Sequence, residues 1–302
     1  MKEAIAISPG HITGFFQICD QPADPLSKGS RGAGVSITHG VTTKVQVEKS
    51  ANPSVRIAIN GAVANSATVS KHVANTFLAL AERNYKVLID HHATVPVGCG
   101  FGTSGAGALS LALALNEAFN LGLSSLEAAQ IAHRAEIECK TGLGTVIAET
   151  HGGLGIRVKP GAPGVGQIKT VLLKEDYVVA CLSFGSIATR EILTSRTSRQ
   201  RINGLGGDLV DDLVRHPTMR NFMEFSRRFA DHVGLISERL RKVLVETDSA
   251  GLPCSMAMLG ETAFSVVGRD QAEEIQGIFG KHASSEGGVI MAEMNCQGAR
   301  LL

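Results

Sequence analysis

The sequence predicts an α+β protein on three observations. Several segments alternate polar and apolar residues and are rich in β-branched side chains. Others repeat at helical spacing. The two kinds are mixed without the regular strand–helix–strand alternation of a doubly wound sheet. In order, "EAIAISPGHITGFF" reads as a strand running into a turn at Pro9-Gly10. "GAGVSITHGVTTKVQVEKS" and "SVRIAINGAV" read as antiparallel strands. Residues 67–83 look helical, and "YKVLIDHHATVP" returns to strand. A glycine-rich loop leads into an apolar helix, Ser104 to Leu121, closed by Gly122. Ser124 with Glu127 forms a capping box for a helix over 125–139, ended by Gly142 and Gly144. The Gly/Pro-rich "GGLGIRVKPGAPGVGQ" suggests a boundary between domains 1–165 and 166–302. Beyond it, 168–183 is strand-like, and "ATREILTSRTSRQRINGLGG" is a basic, polar connection. Helices follow over 217–231 and 234–247, then a turn into a strand in "CSMAMLGETAFSVVG", then a helix over 271–281.

A chain of 302 residues, 44% apolar and 19% charged, is long enough to bury a sizeable core. A net charge of +1 argues against a nucleic-acid binder that depends on neutralising phosphates. Cys19, Cys99, Cys139, Cys181, Cys254 and Cys296 form no CxxC pair, which predicts reduced thiols in a cytosol. The N-terminal "MKEAIAISPG" lacks the apolar core of a signal peptide. The longest apolar run, Ala106 to Leu115, is too short to span a bilayer. The expectation is a cytoplasmic protein.

"PVGCGFGTSGAGAL" (96–109) holds five glycines and no charge between a strand and a helix. The first N–H groups of a helix have no internal partner, and the helix dipole favours an anion there. Glycines let the main chain approach phosphate oxygens, and Thr103 and Ser104 add hydroxyls. "GFGTSG" fits GxGxxG, but the strand-end acid of a dinucleotide fold does not follow. The lysine of a Walker loop is also missing. A tight packing turn is the alternative.

"PVGCGFGTSGA" resembles the phosphate loop of the GHMP kinases, whose usual form is P-x-x-x-G-L-G-S-S-A. Pro96, Gly100, Gly102 and Ser104 match; Phe101, Thr103 and Gly105 stand for Leu, Ser and Ala. "SPGHITGFF", "KGSRGAGVSI", "KTGLG", "GGLGIRVKPGAPG" and "SMAMLGETAF" are similar, in the same order, to motifs of the archaeal pantoate kinases. The resemblance spans most of the chain. It implies a ribosomal protein S5 domain 2-like N-terminal domain, a ferredoxin-like C-terminal domain and an active site between them. It also implies phosphorylation of pantoate to 4-phosphopantoate with ATP and Mg2+, a step of archaeal coenzyme A synthesis, by a homodimer.

The same resemblance assigns roles. Pro96, Gly98, Gly100, Gly102, Thr103, Ser104 and Gly105 would hold the nucleotide phosphates. Ser104 and Glu136 would bind magnesium. His11, Ser30 and Arg157 would lie on the substrate side, with a guanidinium suited to grip a carboxylate by two parallel hydrogen bonds; His133, one turn before Glu136 on the same helix face, is a further substrate-side candidate. Each has a plainer alternative. Glu136 could form an exposed i,i+4 pair with Lys140. Glu138 is a second candidate ligand on another helix face. His133 could be a packed helix histidine, Arg157 a solvated strand arginine and Ser30 a turn hydroxyl. Arg190, Arg196, Arg199 and Arg201 read as a solvated loop or one closing over the site. Asp90, His91 and His92 do not form a metal site, because adjacent strand residues face opposite ways.

The chain departs from the family at "TGLGT", where Thr145 occupies the catalytic position usually held by aspartate. Threonine cannot accept a proton at neutral pH. Three functions therefore stand: a pantoate kinase, a GHMP kinase for another small alcohol such as homoserine or mevalonate, or a nucleotide-binding protein with reduced turnover.

Overall fold

The alternating N-terminal segments fold as two long strands, β1 (Lys2–Cys19) and β2 (Gly29–Lys49). The computed structural model describes residues 1–81, 84–173, 175–283 and 288–302. In chain order there follow β3 (Ser54–Ile59), β4 (Ala62–Val63), α1 (Thr68–Leu80), β5 (Tyr85–Ala93), α2 (Thr103–Phe119), α3 (Ser125–Cys139), α4 (Thr145–His151), β6 (Leu154–Lys159) and β7 (Gln167–Thr170). The C-terminal part holds β8 (Tyr177–Ser186), α5 (Thr189–Thr194), α6 (Arg196–Arg215), α7 (Met219–Val233), α8 (Glu238–Ser249), β9 (Ser255–Met256), β10 (Gly260–Gly268), α9 (Ala272–His282), β11 (Val289–Glu293) and β12 (Arg300–Leu301).

One sheet runs β12-β1-β2-β5-β3-β4, with β6 on the other half of β2 and β7 beside β6. That hairpin carries the first sheet past residue 165. The second sheet runs β11-β8-β10-β9. One core lies between the first sheet and α1, α2 and α3. Another joins β1 and β2 to the second sheet and its helices, with Phe15 and Phe16 against Phe222 and Phe229.

Pro9-Gly10 is not a turn. β1 runs through it with a register shift, Pro9 opposite Gly40 and Gly10 opposite Ile37. The extra residues on β2 form a bulge, which bends the ribbon while both strands continue. β3 pairs with β5 in parallel, because α1 makes the crossover between them. Within "SVRIAINGAV", the Asn60-Gly61 turn to β4, with both residues at positive φ, is a hairpin. The helix expected over 67–83 ends at Leu80, and residues 82 and 83 lie outside the described set. Asn120, in the left-handed conformation, closes α2 before Gly122 is reached. The capping box of Ser124 and Glu127 is present, but Lys140 closes α3 and Gly144 opens the unforeseen α4.

The strand-like 168–183 divides between β7 and β8, one in each sheet; Lys174, between them, is not described. The basic connection is helical, as α5 and α6. Its glycines suggest a loop, yet Gly206 serves close packing: a Cβ there would overlap the Phe16 carbonyl of β1. α6 buries Ile202, Gly206, Leu209, Val210 and Leu213, a helical stripe that the interspersed arginines mask. β11 and β12 were not foreseen; each is a short edge strand.

Candidate active site

The glycine loop crosses from β5 to α2, and three of its glycines, Gly98, Gly100 and Gly102, take positive φ. Pro96 and Gly98 are exposed at its outer end. Gly102 caps α2 without a side-chain hydrogen bond. The first N–H to bond back into α2 is that of Ala106, to the Gly102 carbonyl. The N–H groups of Thr103, Ser104 and Gly105 are therefore left for an anion. The loop is braced from both sheets. His11 donates its backbone N–H to the Phe101 carbonyl at 2.9 Å, and Thr262 donates its hydroxyl to the Cys99 carbonyl at 2.7 Å. Gly260 lies so close to Cys99 that no side chain fits.

A cleft opens beside the loop. Its wall includes Gly98, Gly100, Gly102, Thr103, Ser104 and Gly105 of the loop, His11, Ser30 and Arg157 of the first sheet, and Glu136 and Thr145. A second cleft meets it at Thr103, Ser104 and Thr141 and is otherwise lined mostly by small apolar residues and hydroxyls of α1, β5 and their neighbours.

Glu136 is buried, so it is not the exposed partner of Lys140. Its Oε1 accepts hydroxyl hydrogen bonds from Ser104 and Thr141, each at 2.6 Å, and its Oε2 accepts a longer one from Thr145 at 3.3 Å. Burial raises its pKa and the three hydroxyls oppose the rise. Glu138 faces away and pairs with His72. Among the described residues no three His, Cys, Asp or Glu side chains gather to hold a metal alone. One carboxylate flanked by a hydroxyl beside a phosphate loop is instead a set of hard oxygen donors that suits magnesium, which keeps several waters and shares phosphate oxygens.

Arg157 is only 2% exposed, so it is not a solvated strand residue. Its Nη1 donates to His11 Nε2 at 3.1 Å, and its buried Nε has no partner. Because Arg157 can only donate, His11 Nε2 accepts and His11 Nδ1 carries the hydrogen, donated to Ser36 Oγ at 3.2 Å. Burial, then the nearby guanidinium, holds the His11 pKa well below its usual value, so the ring stays neutral. Burial lowers Arg157 to about 10, still charged at neutral pH. Ser30, at the start of β2, approaches Arg157 across Gly144, where a Cβ would stand 2.7 Å from Ser30 Oγ and 3.2 Å from Arg157 Nε. His133 lies behind this wall, its Nε2 bonded to the Lys28 carbonyl at 3.1 Å, two residues before Ser30.

Thr145 lines the cleft in the first turn of α4. One turn later, Glu149 is fully buried with neither carboxylate oxygen bonded. Sequence reasoning did not place it, because α4 was not foreseen and its one-turn relation to Thr145 was hidden. Thr141 was also missed as a Glu136 partner; its place in "KTGLG" was the available signal. Of the arginine run, Arg199 grips Asp20 through two bonds of 2.9 and 2.7 Å, whereas Arg190 and Arg196 are exposed. His91 turns inward to Thr43 and Ser70, and His92 turns to solvent.

Residues 67–153 match the family described as GHMP kinases N terminal domain. The chain is 35% identical to a pantoate kinase of Methanocaldococcus jannaschii, over 88% of this chain and 94% of that protein. It is also 35% identical to a pantoate kinase of Thermococcus kodakarensis, over 89% of each. A solved structure described as a phosphotransferase related to the CoA biosynthesis pathway superposes with a TM-score of 0.88 at 30% identity, covering 99% of this chain and 98% of that one. At 17% identity, a structure titled as MDDEF with MVAPP, AMPPCP and magnesium shares the fold with a TM-score of 0.76, covering 100% and 99% of the two chains. The loop, the cleft and these near full-length matches agree: the chain belongs to the GHMP kinases and, within them, to the pantoate kinases.

Proposed function

We propose that this protein transfers the γ-phosphoryl group of ATP to the hydroxyl of pantoate, giving 4-phosphopantoate for coenzyme A synthesis. The observation that supports the reading is one cleft lined both by the glycine loop at the start of α2 and by a buried arginine whose Nε has no partner. Arg157 and Ser30 bind the pantoate carboxylate, and neutral His11 fixes the guanidinium. His133 holds the Lys28 carbonyl and with it the entry to Ser30. The triphosphate lies on the N–H groups of Thr103, Ser104 and Gly105, with its nucleoside in the adjoining cleft. Ser104 and Glu136 hold magnesium, which neutralises phosphate charge when bound. Phosphoryl transfer needs positioning and charge stabilisation above all, and these residues supply both. The protein acts in the cytoplasm as a homodimer, without nucleic-acid or membrane partners; its mass by light scattering tests the dimer.

The decisive experiment is a coupled ATP assay with magnesium and pantoate, alongside homoserine and mevalonate. Pantoate alone should support ADP release. A charge-assisted bond is worth about 1.5–3 kcal/mol, so Arg157→Ala should raise the KM for pantoate roughly tenfold to a hundredfold, with the KM for ATP little changed. Arg157→Lys should rescue only part of the loss, lacking the planar fork. A preference for homoserine or mevalonate, or an Arg157→Ala loss confined to ATP, would overturn this reading.

A further inference from the structure

We propose that Leu259 is a specificity-determining residue, closing an apolar wall that takes the two methyl groups of pantoate. This rests on the kinase reading above and concerns how the site distinguishes its acid from others. Leu259 lies in the tight turn between β9 and β10, within the "SMAMLGETAF" motif. The Gly260 N–H donates to the Ala257 carbonyl at 3.3 Å, Met258 keeps a negative φ, and Leu259 takes a φ of +68°. That order of signs belongs to a type II turn, whose third residue favours glycine. A leucine there is held in the left-handed region, which a bulky side chain seldom adopts. Among the described residues, the other non-glycine positions at positive φ are Asn60, Asn120 and Lys140, and none of them lines the cleft.

The conformation is imposed from both sides of the turn. The Met258 N–H donates to the Thr13 carbonyl of β1 at 2.9 Å, and the Ala257 N–H donates to the Thr262 carbonyl at 2.8 Å. Gly260 is already committed to its place beside Cys99, where no side chain fits. A turn tied in this way cannot relax around its leucine, whereas glycine at 259 would satisfy it without strain. A residue kept in an unfavourable conformation at the edge of a cleft points to a use for its side chain.

Leu259 lines the cleft together with Phe16 of β1, Leu193 of α5, Leu143 and Met258. Phe16, Leu193 and Met258 are buried, while Leu143 and Leu259 are half-buried and keep apolar surface open to a ligand. None of the five lines the second cleft, to which the nucleoside is assigned. The wall meets the acid-binding end of the site: a Cβ on Gly32 would stand 2.7 Å from Arg157 Nη2 and 2.9 Å from Phe16 Cβ. It also adjoins the phosphate loop, where a Cβ on Gly100 would stand 3.2 Å from the Cα of Gly260, the residue after Leu259. The pantoate carbon that bears both methyls is two bonds from the carboxyl carbon and two bonds from the reacting oxygen. With the carboxylate on Arg157 and that oxygen toward the phosphates, the methyls fall between the two ends. Apolar side chains there remove them from water, which favours pantoate over acids that lack them, such as homoserine.

The test compares pantoate with 2,4-dihydroxybutanoate, the same acid without the two methyls, as phosphoryl acceptors for the wild-type protein, Leu259→Asn, Leu259→Gly and Leu259→Met. Asparagine and glycine both suit the left-handed position and remove the apolar contact; methionine keeps it. One methylene in an apolar pocket is worth about 10–200-fold in kcat/KM, so the wild-type protein should prefer pantoate by at least about tenfold. Leu259→Asn and Leu259→Gly should each narrow that preference at least about fivefold, mainly through the KM for pantoate, with Tm lowered by no more than a few degrees. Leu259→Met should keep the preference within about twofold. A loss of equal size on both acids would mean that Leu259 only shapes the turn, and would overturn the proposal. So would an unaltered preference in Leu259→Asn, which decides alone should Leu259→Gly not fold, or the absence of any preference in the wild-type protein. Turnover of neither acid by the wild-type protein would instead sink the kinase reading.

Discussion

At the scale of single residues, Glu136 shows how burial turns an ordinary carboxylate into a site. On the sequence it is one of three glutamates on the helix over 125–139, and i,i+4 spacing alone favours a pair with Lys140. The fold withdraws it from solvent and surrounds it with Ser104, Thr141 and Thr145 hydroxyls, which keep the charge tolerable by hydrogen bonding. Glu136→Gln keeps the shape and removes the charge. It should raise the magnesium concentration needed for half-maximal activity and lower kcat by about 10²-fold or more, since charge neutralisation dominates phosphoryl transfer. Ser104→Ala should move the same two quantities in the same direction by less. A magnesium titration of each variant decides the matter; an unaltered magnesium requirement in Glu136→Gln would remove the metal from this position.

At the scale of elements, the glycines separate what the sequence disclosed from what it hid. The glycine loop was legible because a strand, a run of small residues and a helix start have one dominant use. Residues such as Gly206 and Gly260 were opaque, since their role is to let a distant backbone come close, and the distant partner is not in the local sequence. Gly206 made a long helix look like a connection. α4 was hidden for a related reason: seven residues are too few to show a period, and they follow two glycines that read as an ending. That is also why Glu149 was not placed, while Ser104, Glu136 and Arg157, picked out by the family resemblance, line one cleft. The bracing of the loop gives a direct test. Gly260→Ala inserts a methyl group against the Cys99 carbonyl, a misfit that typically costs about 1–3 kcal/mol. It should lower Tm and raise the KM for ATP more than that for pantoate, because the displaced segment is the one proposed to hold the phosphates. Gly277→Ala on α9 is the control, with open space around it; it should be neutral or stabilising by up to about 1 kcal/mol. Equal effects of the two changes in calorimetry and kinetics would mean that Gly260 does not hold the loop.

At the scale of the whole molecule, the junction of the two cores concentrates buried ionisable groups: His11, Glu136, Glu149 and Arg157 are all at most 3% exposed. Stability there is given up for function, and the pH dependence of folding should record it. Glu149 is the clearest case. Burial first, and then the neighbouring Glu136 charge, raises its pKa well above 4.5, while Arg157 opposes. A carboxyl whose folded pKa exceeds its unfolded value favours folding below the unfolded pKa. That contribution is lost as pH rises toward and through the folded pKa. The wild-type protein should therefore lose ground relative to Glu149→Gln as pH increases from 5 to 9, because glutamine has no charge to bury. Each pKa unit of elevation corresponds to about 1.4 kcal/mol, and a protein of this size moves its Tm by roughly 2–4 °C per kcal/mol. Paired melts of the two proteins, without nucleotide or metal, should show a Tm difference in favour of Glu149→Gln that widens by several degrees across that range. Comparing the pair cancels His11, whose lowered pKa acts in the opposite direction and is common to both. A difference that stays constant from pH 5 to 9 would mean that Glu149 carries the same charge throughout, and the cost assigned to burying it would be wrong.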